Sequence, residues 1–163
     1  MLVKSFLAKH RACDDGKAFA LKHRTMQQVW TNCQRSDWML WILEHTKPMP
    51  DKMSRLFACW CVRNTPMKYG RTTWDLLTDE RSRNAVVVAE AFAAGKATKA
   101  ELVAARDAAR DAAWDTAGVA ARDAAWVAQC REIRRLIPNI DTWIAPRKRQ
   151  AGEKRRAKKG KKK

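Results

Sequence analysis

The sequence AARDAARDAAWDTAGVAARDAAWV, residues 104–127, is the strongest indication of the fold of this chain. An alanine pair recurs every four residues with one interruption, and alanine has the strongest helix propensity of all residues. No proline follows before Pro138, so we predict an alanine-rich helix over 99–136, either continuous or broken once at Gly118. At about 1.5 Å per residue, a continuous helix would be roughly 57 Å long, longer than a domain of this size is wide.

The repeat also predicts how this helix meets its surroundings. Four residues exceed one 3.6-residue turn by about 40°, so the alanine ribbon winds around the helix and meets different neighbours along its length. Two tryptophans and a column of three aspartates spaced four residues apart stand out from the small side chains. We predict that they bind a partner: Asp107, Asp111, Trp114, Asp115 and Trp126. We expect Arg81, Arg83 or cations of the partner to neutralise the aspartate column. The alternative is an ordinary solvated helix surface.

Capping signals upstream predict several shorter helices. The first carries Leu2 to Leu7, a second covers 17–24, and the capping box Thr25–Gln28 opens a third. Ser36 and Asp37 are expected to cap the next segment, and Asp51 is expected to cap a helix over 52–63.

The predicted core centres on the hairpin that these two helices form. Six apolar residues follow one another from Trp38 to Leu43, so this segment is expected to be buried on nearly every side. We therefore predict that Trp38, Trp41 and Trp60 are core residues.

Further capping signals lead from this hairpin to the alanine repeat. A short helix opens in the segment 70–74 and runs through Leu77, and Thr78 or Asp79 can cap a longer one that ends at Gly95. A second capping box, Thr98–Glu101, starts the alanine-rich helix. The predicted fold class is all-α, with several short helices packed on the long alanine-rich one.

Positive charge is concentrated at the end of the chain. Between Pro146 and Lys163 there are eleven Lys and Arg against Glu153, which places +10 of the total +17 in this segment and leaves +7 for the rest. We predict a helical domain over 1–137 and a basic tail over 138–163 that stays disordered until it meets nucleic acid or an acidic protein. The alternative is a tail that only solubilises the protein. The candidate nucleic-acid-binding residues are Arg147, Lys148, Arg149, Lys154, Arg155, Arg156, Lys158, Lys159, Lys161, Lys162 and Lys163.

The cysteines and the hydropathy pattern favour a cytoplasmic protein. Five cysteines form an odd set without the spacing of a disulfide scaffold, so we expect reduced thiols: Cys13, Cys33, Cys59, Cys61 and Cys130. Charges interrupt the first 13 residues too often for a signal peptide. The longest apolar stretch is far shorter than the roughly 18 residues that a membrane span needs.

Candidate catalytic and metal-ligating patterns are weak. His10 to Cys13 and the pair Cys59 and Cys61 could supply metal ligands, but Cys-x-Cys lacks the usual zinc spacing and its side chains diverge on a helix. We expect these cysteines to act as small apolar residues. His10, His23 and His45 do not form a nucleophile arrangement, and there is no Gly-rich phosphate loop. We therefore expect neither an enzyme nor a bound metal or cofactor.

Four segments resemble a family of immunity proteins that occurs near bacterial polymorphic toxin systems and on phage genomes. They are His10–Cys13, Leu56–Cys61, Gly70–Val86 and the alanine repeat, and the resemblance covers roughly Phe6 to Leu136. It implies an α-helical protein that binds and neutralises a toxin or another partner without catalysis. It assigns no functional residue.

This chain departs from that family in its basic extension after Pro138 and in its short, valine-interrupted repeat. These departures favour a phage-encoded variant with a target of its own. An inhibitor of a nuclease is usually acidic, whereas this body carries +7. The predicted function is a non-enzymatic immunity-type or inhibitor protein that binds another protein. The alternative is a nucleic-acid-associated protein that uses the basic tail as an electrostatic arm.

Overall fold

The computed structural model describes residues 2–67, 70–112 and 122–145, and these residues form an all-α fold, as predicted. In chain order the helices are α1 (Val3–Lys9), α2 (Asp14–Leu21), α3 (Met26–Asn32), α4 (Ser36–Glu44), α5 (Asp51–Asn64), α6 (Thr73–Leu76), α7 (Glu80–Ala93), α8 (Lys99–Ala112), α9 (Arg122–Leu136) and α10 (Ile140–Ile144). Extended pairing in the described part is limited to two isolated antiparallel bridges, Leu2 with Thr25 and Pro66 with Thr72. None of the described helices has the length and apolar character that a membrane crossing requires.

Capping boxes begin two of these helices where the sequence predicts them. Thr25 accepts a hydrogen bond from the backbone N–H of Gln28, whose side chain accepts one from the Thr25 N–H in return. Thr98 and Glu101 make the same reciprocal pair at the start of α8. Asp79 caps α7 by accepting from the Ser82 N–H at 3.2 Å. Each pair satisfies N–H groups that a helix start leaves without partners.

The caps predicted for α4 and α5 are wrong, because each helix begins at or before the residue that was expected to cap it. The N-cap of α4 is Arg35, so Ser36 is already helical, and its hydroxyl lies 2.6 Å from Gln129 Oε1 of α9. Asp37 pairs with Arg35 instead. Asp51 is likewise the first residue of α5, which follows Pro50.

The turn between α7 and α8 depends on Gly95. Its φ is +74°, a left-handed conformation that side chains with a Cβ disfavour. The Lys96 N–H donates to the Ala91 carbonyl at 2.8 Å and the Gly95 N–H donates to the Phe92 carbonyl at 3.0 Å. These bonds satisfy the free carbonyls at the end of α7 and fold α8 back onto it.

The two described parts of the alanine-rich segment meet different neighbours. Helix α8 packs against α7, whereas α9 packs against α4 and α5. The residues between α8 and α9, including the predicted break at Gly118, lie outside the described part of the chain. Whether one helix covers 99–136 therefore stays a prediction.

The hydrophobic core brings together both ends of the described chain. Trp30 of α3 is fully buried, and its indole Nε1 donates to the Ile137 carbonyl at 2.9 Å. Arg134 of α9 donates to the Trp30 carbonyl at 3.1 Å and also to the Cys33 carbonyl. The buried core residues are Val3, Phe6, Ala20, Met26, Val29, Trp30, Cys33, Met39, Ile42, Leu43, Met49, Phe57, Cys130, Ile133, Ile137 and Ile140.

The predicted domain boundary at 137 falls inside this core and is corrected by the structure. Ile140 is 0% exposed, and its N–H donates to Gln27 Oε1 of α3 at 2.9 Å. Trp143 and Ile144 also pack against the core. The folded domain therefore includes α10, and residues 146–163 lie outside the described part.

The expected core hairpin is confirmed for some residues and wrong for others. Met39, Ile42 and Leu43 are buried. Trp38 and Trp41 are only half-buried, and so is Trp60 on α5. Helix α4 thus has one side in the core, and its two indoles pack against that core while remaining partly exposed.

Candidate binding groove

The two half-buried indoles of α4 border a cavity of about 500 Å³ that is open to solvent. We call it the aromatic groove. Phe19, Trp38 and Trp41 form its walls, and its rim carries Arg11 and Asp37, which are exposed. The residues that line it are Arg11, Ala12, Cys13, Gly16, Phe19, Ala20, Met26, Val29, Cys33, Arg35, Asp37, Trp38, Trp41 and Ile42.

The floor of the aromatic groove is the upper side of the core. Met26, Val29, Cys33 and Ile42 line it, and each of them is less than 5% exposed. A concave, apolar surface with a few polar groups at its edge is the usual form of a ligand or anchor site. Its volume lies within the range of about 300–1,000 Å³ that is typical of such sites.

Gly16 keeps the wall of the groove from closing. A Cβ at this position would lie 3.2 Å from Cys13 Sγ and 3.7 Å from Trp38 Cε2. The neighbouring rings of Phe19 and Trp38 lie with their centroids 5.6 Å apart at an interplanar angle of 40°. A larger side chain at position 16 would therefore enter the space beside Trp38.

Arg35 fixes one edge of the groove through two kinds of contact. Its guanidinium donates to both carboxylate oxygens of Asp37, at 2.9 and 2.6 Å. It also lies 4.7 Å from the ring centroid of Trp38 and 3.8 Å from that of Trp126. The hydrogen bond from Arg35 holds the pKa of Asp37 below its ordinary value. The ion pair therefore stays intact at neutral pH and orients the Trp38 ring.

Trp126 is the point at which the alanine repeat reaches this groove. The sequence predicts that this ring stands free on a smooth helix. In the structure it is instead half-buried under Arg35. Asp107 is exposed on α8. Asp111 belongs to α8, but its side chain is outside the described part of the chain, as are Trp114 and Asp115. The structure thus joins one of the five predicted partner-binding residues to the groove.

The expected neutralisation of the aspartate column by arginines of α7 is not found at Asp107. Arg81 pairs with Asp79, with Nε 3.1 Å from Oδ1. Arg83 lies 5.5 Å from the ring centroid of Trp74. Within the described residues neither arginine forms an ion pair with Asp107. The predicted nucleic-acid-binding residues, Arg147 to Lys163, all lie outside the described part.

The histidine and cysteine motifs do not assemble a metal site among the described residues. No group of three His, Cys, Asp or Glu side chains is placed there to hold an ion. His10 instead packs against His45, with ring centroids 5.1 Å apart. Cys59 and Cys61 are respectively buried and half-buried.

Cys33 and Cys130 form a buried thiol pair beneath the groove. They are 0% and 1% exposed, and both line a second cavity of about 280 Å³. The hydrogen bond with Cys33 raises the pKa of Cys130, and burial raises it further. Cys130 therefore stays protonated at neutral pH, whereas the same hydrogen bond lowers the pKa of Cys33.

Comparison with protein-family models, with curated proteins and with solved structures finds no match. The groove is not evident from the sequence because Trp38 and Trp41 lie in an apolar run, which predicts core positions for both. One signal was available. Arg35, Ser36 and Asp37 place opposite charges immediately before two tryptophans, a pattern that suits the edge of an aromatic surface better than a fully buried helix.

Proposed function

We propose that this protein is a non-enzymatic binder of another protein, of the immunity or inhibitor type, and that it contacts its partner through the aromatic groove. The observation that supports this proposal most directly is the groove itself. It is a solvent-open apolar cavity of about 500 Å³ with half-buried tryptophan walls and arginines at its edge. Tryptophan and arginine dominate the residues whose loss weakens protein interfaces most.

Preorganisation of the groove supports this function. The Arg35 and Asp37 pair and the two indoles that contact Arg35 hold the edge in place, so little side-chain entropy remains to be lost on binding. Four segments that follow one another along the chain resemble immunity proteins, and this resemblance supports the same class of activity. Neutralisation of a toxin by such a protein requires only that its surface cover a functional part of the partner.

Cys13 provides a direct test, because it is an exposed thiol on the lining of the groove. The chain is immobilised and exposed to lysate with nuclease, with Cys13 either free or blocked by a bulky maleimide. A Cys13→Ser variant treated with the same reagent is the control. We expect a specific protein that is retained by the free form and by the control and is lost from the blocked form.

Neutralising activity is tested in the same variants. The retained protein is identified and produced alone, and its toxic or enzymatic activity is measured with and without the chain. We expect inhibition that disappears when Cys13 is blocked. If blocking Cys13 changes neither the retention of the partner nor its inhibition, the groove has no role in binding.

The basic tail supports the alternative of a nucleic-acid-associated protein. Eleven Lys and Arg within residues 147–163 supply the charge for binding to phosphates, with little sequence preference and strong dependence on salt. Gel-shift titration at two salt concentrations tests it, with and without residues 147–163. No binding at low salt would remove this alternative, whereas a protein partner that survives nuclease and tail removal would support the first function.

A further inference from the structure

We propose that the partner segment entering the aromatic groove is acidic, that it places one large apolar side chain against the ring surfaces of Trp38 and Trp41 that line the groove, and that a neighbouring carboxylate of the same segment pairs with Arg11. This inference rests on the proposed function and specifies the partner. It follows from the distribution of charge and apolar surface around the groove.

Arg11 is the uncompensated charge of the groove. It is exposed on the rim, and within the described residues the structure gives it no ion pair or side-chain hydrogen bond. Arg35, the other cation, is already held by two hydrogen bonds from its guanidinium to Asp37, and Asp15 adds to its compensation. A carboxylate that arrives with a partner therefore finds Arg11 available and Arg35 occupied.

The apolar part of the groove determines what accompanies that carboxylate. Phe19, Trp38 and Trp41 are half-buried, and the floor beneath them is fully apolar, so the groove retains ring surface for an incoming side chain. Aromatic and large aliphatic side chains gain most from such a surface. The volume of about 500 Å³ is enough for one or two of them but not for a folded element.

Charge over the whole chain favours the same partner. The chain outside the basic tail carries +7, which attracts an acidic protein and speeds its approach. Recognition by Arg11 would then orient the acidic segment, while the apolar anchor supplies most of the affinity. Removal of the apolar anchor should therefore lower the binding affinity more than removal of the carboxylate.

Three fluorescent peptides test this on the full-length chain by fluorescence anisotropy. The first has a central Phe flanked by Asp and Glu, the second replaces that Phe by Ala, and the third keeps Phe but has Lys flanks. The basic tail is present in every measurement, so its attraction for acidic peptides is the same for the first two. We expect the acidic Phe peptide to bind about tenfold more tightly than the acidic Ala peptide. The Lys-flanked peptide should bind most weakly.

Variants then locate the binding. Gly16→Leu should abolish the preference for Phe over Ala, and maleimide-blocked Cys13 should do the same if the Gly16 variant does not fold. Arg11→Glu should weaken binding of the acidic Phe peptide about fivefold or more. Lys22→Glu, an equal charge change at an exposed position that does not line the groove, is the matched control and should change binding less than about twofold.

The outcomes separate this inference from the proposed function. Equal effects of Arg11→Glu and Lys22→Glu, or equally tight binding of the Lys-flanked peptide, would overturn the acidic partner even if the Phe preference remained. Equal binding of the acidic Phe and acidic Ala peptides by the unmodified chain would overturn the apolar anchor. The proposed function fails separately, if blocking Cys13 leaves capture and inhibition of the protein partner unchanged.

Discussion

Lys47 and Trp143 each donate a side-chain hydrogen bond to the backbone carbonyl of the other. The Lys47 Nζ to Trp143 O distance is 3.0 Å, and the Trp143 Nε1 to Lys47 O distance is 2.9 Å. The ammonium also lies 4.7 Å from the centroid of the Trp143 ring. This reciprocal pair fastens α10 to the loop after α4 and completes the core at the position where the sequence predicts that the tail has already begun.

A truncation series tests the contribution of α10. A chain that ends at residue 145 should keep the unfolding free energy of the full-length chain. A chain that ends at 137 should lose at least about 3 kcal/mol, since burial of one large apolar side chain contributes about 1.5–3 kcal/mol and both Ile140 and Trp143 are removed. Urea unfolding followed by circular dichroism gives both values. Equal midpoints for the two truncated chains would show that α10 does not stabilise the fold.

Trp30→Phe should destabilise the core by about 1–3 kcal/mol, because the Ile137 carbonyl loses its buried indole donor. The same substitution at half-buried Trp60, whose indole N–H has no hydrogen bond in the described part of the chain, is the control and should cost under about 1 kcal/mol. Unfolding free energies of the two variants make the comparison. Similar losses would mean that the hydrogen bond contributes little beyond ring volume.

The cysteines should react with a maleimide in an order set by their burial. Exposed Cys13 should be modified first, and buried Cys33, Cys59 and Cys130 should react only after unfolding. Burial raises the pKa of Cys61 to about 11, so at pH 8 this half-buried thiol should also react slowly. Mass spectrometry of peptides after short labelling times gives the order. Early modification of Cys130 would show that the described core opens readily.

Acid should destabilise the protein in two separate ranges of pH. Desolvation, with the nearby positive charge of His45 and Lys9, lowers the pKa of His10 from its ordinary value of 6.5. The unfolded chain therefore binds this proton more readily, and the stabilisation is present above about pH 6.5 and lost as pH falls through the folded-state pKa. His10→Gln should flatten the unfolding free energy between pH 7 and 5. His23→Gln is the control.

The second loss should come at lower pH. The hydrogen bond from Arg35 lowers the pKa of Asp37, and hydrogen bonds from Thr98 lower that of Glu101. Their contribution is present above the ordinary carboxyl values near 4 and is lost as pH falls below them. His10→Gln should leave the loss of unfolding free energy in this lower pH range unchanged. If His10→Gln removes both losses of stability, the loss at lower pH does not come from Asp37 and Glu101 independently of His10.

Sequence alone predicts the helical class and the helix starts that depend on residues close together in the chain. Thr25, Thr98 and Asp79 each satisfy a backbone N–H group three residues away, so no distant contact is needed to predict them. The left-handed turn at Gly95 is local for the same reason. At Ser36 the predicted cap failed because a distant side chain, Gln129, takes its hydroxyl, whereas Asp37 pairs with its neighbour Arg35.

Packing between distant segments controls which apolar side chains are covered. Helical periodicity shows that Trp38 and Trp41 are apolar, but whether another helix covers them depends on packing between segments far apart in sequence. The same limitation hid Ile140, which is buried because α10 returns to α3 more than 100 residues away. The aromatic groove exists because no described element closes over the indoles of α4, and tertiary packing alone brings Arg35 into contact with Trp126.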